Sequence, residues 1–549
     1  MKKIILPFFL ALIVTSCDLL DTRIDTLETQ ATIKTNFSKI RELGFAGYTN
    51  MQNGFWRIDN NIAAPMSDEA EQTASTSKVQ MFNEGSWNAF ENPDNGYAYF
   101  YQGLRNVNYF LEYSADYKKQ LVINRDTLKD NGYQYHRDVS DIGWMRAESH
   151  VLRAYYYFEL TKRYGDVPFI DVSLAQGQTV QPIARKSYDE LVEYMVSEID
   201  SVKNSLQTDW KLYDSQEDGR FTKGAAMALK ARILLYAASP LHNAAGDLQK
   251  WIRAAQAANE VIQLNKYALS DNYRNLFIGD NSVLDKEVIM SIRIGSTNEP
   301  EKANYPIGTP GGLSGVTPSE NLVSAYENRG TSNTNDPYDK RDPRLGYTIV
   351  TNNSTWNGRT IEIWKGGKDD YTKLNSSKTG YYLKKFLNDN LYLTQDQKVV
   401  HSWILFRYAE VLLNYAEAMN EAYGPDNDNA TGLSARQAVN KIRKRLQVSM
   451  PDVVATNKDE MRVSIKHERR IELAFEEHRY WDLIRWKDAE IVLNQPILGV
   501  VAQNTNGVIS YSTVTVEIRK FDATKMYFYP IPQTEVNKTG NVVTQNPGW

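Results

Sequence analysis

The chain has 549 residues, a net charge of −4 from 63 basic and 67 acidic side chains, and a mean hydropathy of −0.52. A balance this near neutral gives no electrostatic ground for binding nucleic acid or an anionic surface. One cysteine in the whole sequence excludes an internal disulfide framework, and a chain this long buries a large core without one.

The N-terminus reads as a secretory leader. Met1-Lys2-Lys3 supplies charge, Ile4 to Val14 an apolar run too short to span a bilayer, and Thr15-Ser16-Cys17 small residues before the sole cysteine. Val14-Thr15-Ser16-Cys17 resembles a lipobox, in which the leader (1–16) is removed and the cysteine is acylated. Cys17 is therefore the expected lipidation site. Residues 17–33 are polar and aperiodic after that cysteine and are read as anchor and tether, with 34–549 as a single domain.

Apolar residues at three- and four-residue steps predict helices over Arg146–Tyr164, Tyr188–Leu206, Thr222–Ala238 and Trp251–Leu264. Further on, the same pattern predicts Ile404–Tyr423, Ser434–Leu446 and one long helix over Glu460–Asp488. They fall into pairs with Ala and Tyr at packing positions, so the fold class is mostly α: degenerate tetratricopeptide-like helix pairs forming a scaffold. From about 292 to 400 the periodicity disappears. Gly, Pro, Asn, Thr and Trp dominate there, with short alternating runs at Tyr347–Val350 and Thr360–Trp364. This loop-rich insert with short strands is the expected ligand-binding side, since long irregular segments inside compact proteins are usually functional.

Several segments resemble the SusD-like (RagB/SusD) family, in its order and over nearly the whole mature chain. They are Arg146-Ala147-Glu148 through Phe158 with Tyr164-Gly165-Asp166-Val167-Pro168, then Pro318-Ser319-Glu320-Asn321-Leu322-Val323 and Lys340-Arg341-Asp342-Pro343-Arg344. Phe406 to Ala418, Glu468 to Glu476, Arg479-Tyr480-Trp481-Asp482-Leu483 and the close from Tyr529-Pro530-Ile531-Pro532 to Trp549 complete the set. The resemblance implies four helix pairs and a lipid-anchored protein on the exterior of the outer membrane. It also implies a SusC-like TonB-dependent transporter as partner and an oligosaccharide or polysaccharide ligand. The expected function is glycan capture and handover without catalysis; the alternatives are a surface glycoside hydrolase and a family member that binds peptides or other nutrients. The Arg and Glu residues of the Glu468–Trp486 stretch alternate at three- and four-residue spacing and have a structural reading as ion pairs.

A sugar offers a patch of C–H bonds ringed by hydroxyls, so its site needs aromatic faces beside amides, carboxylates or Arg. The chain holds 11 Trp and 34 Tyr against 18 Phe, an excess of rings with a polar handle. Candidates lie where no helical stripe claims them: Trp87 after the Gly85-Ser86 turn, Trp56, and from the irregular half Trp356, Trp364 and Tyr305. Resemblance to glycan-binding relatives adds Asp68.

No catalytic residue, cofactor or metal is expected. The six His residues form no HExxH, and His467 and His478 would stand three turns apart on one helix. Gly308 to Gly315 lacks the Lys-Ser or Lys-Thr of a phosphate loop and reads as a mobile loop. Asp426-Asn427-Asp428-Asn429 opens like a calcium loop, but Ala430 and Thr431 stand where a ligand and the turn glycine belong.

Overall fold

The computed structural model describes residues 30–123, 125–128, 132–174, 181–214, 217–279, 285–331 and 336–549. The leader, Cys17 and most of the span read as tether lie outside the described residues; its last residues belong to a short helix, Gln30–Thr35.

Among the described residues helices dominate, and six of the ten longer ones begin behind a side chain that satisfies a free N–H group. α1 spans Phe37–Ala46, α2 Tyr97–Tyr113 and α3 Tyr133–Tyr164. α4 covers Tyr188–Val202 behind a reciprocal Ser187–Glu190 capping box, and α5 covers Lys223–Ala238 behind Thr222, whose hydroxyl accepts from the Ala225 N–H. α6 is Leu248–Ile262. α3 packs between α2 and α4, α5 packs on α6, and α6 on the later helix α7, Tyr408–Tyr423. α7 in turn holds α8, Ala435–Arg443, capped by a Ser434–Gln437 box, and α9, Lys458–Glu472. These packed pairs give the mostly helical, tetratricopeptide-like scaffold that the sequence predicts. α3 starts thirteen residues before its predicted Arg146, because the polar Tyr133–Met145 stretch hides its turn-by-turn burial of Asp138, Ile142 and Met145.

Two predicted helices are corrected. Residues 404–407 are not helical: they end strand β2, Val399–Arg407, which pairs antiparallel with β1, Val288–Thr297. The run is rich in β-branched and aromatic side chains and finds a ladder partner a hundred residues upstream. This ribbon brackets the loop-rich insert at both ends. The stretch Glu460–Asp488 is two helices, α9 and α10 (Arg479–Trp486), so His467 and His478 do not share one helix. The break comes at Phe475 and Glu477, both left-handed at φ 65° and 63°, where the Phe475 N–H is taken by a side-chain oxygen of Glu69 at 3.2 Å.

The apolar interior forms one large cluster through the helices, a second beneath the loops, around Phe55, Tyr305, Trp356, Phe386 and Trp403, and a small third of Ile40, Phe110, Leu121, Ile142 and Met145. Buried charges join the halves. Arg407 donates to Glu287 and Glu472 at 2.7 Å and to Glu476 at 2.6 Å, and Lys385 reaches Glu476 at 2.6 Å. Arg344 binds Asp342 at 2.7 Å and Glu472 at 2.9 Å, and Arg445 also binds Glu472, at 2.9 Å. Burial alone would raise the Glu472 pKa, but three guanidiniums hold it well below the usual carboxylate range. The structural reading of the Glu468–Trp486 charges therefore stands, with most partners on other elements rather than along the helix.

Gly308–Gly315 is a hydrogen-bonded loop rather than a free one. Gly308 N–H donates to Asp369, Leu313 N–H to Lys302 O and Gly315 N–H to Ala303 O. A Cβ at Gly312 would lie 2.7 Å from the Tyr305 carbonyl oxygen, which explains the glycine there. Asp426 serves an ion pair, its two oxygens accepting from Arg436 at 2.7 and 2.9 Å. Among the described residues no helix is long and apolar enough to cross a membrane, and no group of three metal-ligating side chains comes together.

Candidate ligand-binding site

Four of the six residues predicted to face a ligand are buried. Trp87 is 2% exposed, stacked on Phe82 at 4.9 Å and packed against Trp549 at 4.5 Å and Tyr529 at 5.0 Å. The Gly85-Ser86 turn points the indole inward because the C-terminal residues supply its aromatic box. Asp68 is 5% exposed and binds Arg479 at 2.7 Å and Arg470 at 2.6 Å. Burial works to raise its pKa, yet those cations hold it well below the usual range, as suits a structural anion. Trp356 and Tyr305 lie edge to face at 4.9 Å inside the second core. The Tyr305 hydroxyl donates to the Asn388 carbonyl, whereas the Trp356 indole N–H has no hydrogen-bond partner among the described residues.

Trp56 and Trp364 are half-buried, each with one side packed on the second core. Trp56 stands edge-on to Phe55 at 5.9 Å. Trp364 follows Ile363, whose N–H donates to the Asn352 side-chain oxygen at 3.2 Å. Asn352 is the organising residue of this face. Itself 2% exposed, it spends its amide N–H on the Tyr511 hydroxyl at 2.9 Å.

Tyr511 sits on β4 (Val508–Glu517), opposite Ala502 of β3 (Ile497–Thr505). The hairpin is set by Asn506-Gly507, both at positive φ (53° and 88°), the turn geometry that matches strand twist. Half-buried Tyr338 stands edge-on to Tyr511 at 5.9 Å and to Tyr381 at 6.1 Å. Its hydroxyl donates to the Tyr381 hydroxyl at 3.3 Å, and Tyr381 donates to the Glu320 carboxylate. Burial raises the pKa of each of the three phenols, so all stay protonated at neutral pH.

The chemistry follows from the directions of these bonds. Tyr511 accepts from Asn352 and keeps its own proton to give. Tyr338 gives its proton away and keeps oxygen lone pairs to receive. Together they present two ring surfaces, one donor and one acceptor on a rigid base, the inventory a sugar ring requires. Trp364 flanks the same base through Ile363. Sequence reasoning missed Tyr338, Asn352 and Tyr511, although Asn506-Gly507 between alternating residues was a legible hairpin signal.

Paired helices carrying such a face define a ligand-binding protein built on a tetratricopeptide-like scaffold. The chain belongs to the SusD family, whose profile matches residues 266–549, and a second profile, described as starch-binding associating with outer membrane, matches residues 18–235. The family is one of binding proteins rather than enzymes. The solved structure of a SusD-like protein from Bacteroides fragilis superposes with a TM-score of 0.76 at 25% identity, covering 94% of this chain and 98% of that one. A SusD-like carbohydrate binding protein from the same species has the same TM-score at 24% identity, covering 93% and 100%. SusD-like protein P2 of Formosa agariphila is 24% identical over 440 residues, 78% of this chain and 77% of its own length.

Proposed function

We propose that this protein is a surface lipoprotein that binds oligosaccharides on its loop face and passes them to a SusC-like TonB-dependent transporter. In this reading Cys17 carries the acyl chains that hold it to the outer membrane, facing the exterior. The observation that carries the glycan assignment is the Tyr338–Tyr511 pair on its Asn352 base. The relatives support the ligand class, since two structural neighbours are a SusD-like carbohydrate binding protein from Bacteroides fragilis and a surface glycan-binding protein A from Bacteroides uniformis.

The proposed contact residues are Tyr511, Tyr338 and Trp364, with Trp56 as a separate half-exposed ring. Affinity would be modest, because each sugar hydroxyl exchanges water for protein at a net gain of about 1 kcal/mol. Stacking adds selectivity for ring shape. Incubation with purified polysaccharides tests the reading. Retardation in a polysaccharide gel with no new reducing ends is expected; the appearance of new reducing ends contradicts it.

A further inference from the structure

Four large apolar side chains stand in solvent between the end of α2 and the first residue of α3. Val122 is 43% exposed, Ile123 63%, Leu128 71% and Tyr133 75%. Single exposed apolar residues are ordinary, but a group of this kind on one connector marks a contact surface. Their outward position is fixed from below. Leu121, at the end of the short helix Tyr117–Val122, is buried with Ile40, Phe110, Ile142 and Met145, which turns Val122 and Ile123 away from the body. The Tyr135 hydroxyl donates to the Lys118 carbonyl at 3.2 Å and ties the start of α3 to that helix.

The same end of the molecule is where the described chain begins. Helix Gln30–Thr35 packs on Tyr117–Val122, and Lys34 Nζ lies 5.5 Å from the Tyr113 ring centroid. Residues 18–29, twelve in number, can span no more than about 40 Å. An acyl anchor at Cys17 therefore keeps the apolar connector within reach of the lipid. The exposed Lys118 and Lys119 stand on the same short helix, Tyr117–Val122, next to the apolar residues.

We infer that this end of the bundle docks on the lipid surface, with Val122, Ile123 and Leu128 entering the acyl boundary and Tyr133 at headgroup level. The inference rests on the reading of Cys17 as acylated. Its consequence is a body held in one orientation on the membrane instead of swinging on its tether. Aliphatic side chains with an interfacial aromatic and flanking lysines are the chemistry of interfacial membrane contact.

The test uses the acylated full-length chain in phosphatidylcholine vesicles. Leu128→Cys provides a single labelling site, because the only native thiol is the one that carries lipid. Leu374→Cys, 86% exposed in the loop-rich half, is the control. An environment-sensitive probe at 128 should shift to the blue and be quenched by doxyl lipids about threefold more than at 374, as for an interfacial side chain. Vesicle-bound protein whose probe at 128 stays in water overturns the docking and leaves the anchor intact. Protein that does not stay on vesicles at all overturns both.

Discussion

Asp68 and Arg479 meet at 2.7 Å across 411 residues of chain, with Arg470 on the other carboxylate oxygen at 2.6 Å. This contact clamps the early loop region to the C-terminal helices. Removing the carboxylate strands two largely buried cations, so Asp68→Ala should cost about 3–5 kcal/mol of stability. A lowered denaturant midpoint, with glycan affinity of the remaining folded protein unchanged, is the expected result. Because the folded pKa of Asp68 is depressed, its contribution holds above the ordinary carboxylate range and is lost as the pH falls below it.

The neighbouring Glu69 has the opposite sign. Burial first and the adjacent Asp68 second push its pKa up to about 8 from 4.5. The folded state then holds a proton that the unfolded state releases, so this group's contribution is present below about pH 4.5 and is lost as the pH rises to about 8. Glu69→Gln keeps the acceptor for Phe475 N–H and removes the titration. Thermal unfolding should show the variant gaining most over the parent at pH 8.5 and least at pH 5.

Trp87 separates core from site directly. Its box of Phe82, Tyr529 and Trp549 joins the early chain to the C-terminus, and Trp87→Ala should cost about 3–5 kcal/mol. Any loss of glycan binding should then track the loss of folded protein in calorimetry, with unchanged affinity per folded molecule.

The helices were legible where local chemistry decides them. Ser187 and Ser434 announce their helices by capping boxes, and Gly424 and Pro240 mark ends. What failed was set by distant partners. Ile404 to Arg407 reads as part of a helix until Val288–Thr297 pairs with it, and the 460–488 stretch looks continuous until Glu69 captures the Phe475 N–H. The site suffered more for the same reason. An indole after a Gly-Ser turn looks exposed unless Trp549 is known to cover it, and nothing local links Tyr338, Asn352 and Tyr511.

Calorimetric titration of the parent, Tyr511→Ala and Trp364→Ala with a panel of soluble glycans tests the loop face as the ligand platform. Losing a stacking ring costs about 1.4 kcal/mol, so Tyr511→Ala should weaken the glycan that the parent binds about tenfold per folded molecule, with a lowered unfolding midpoint because the buried Asn352 amide loses its acceptor. Undiminished affinity in both variants would contradict the assignment.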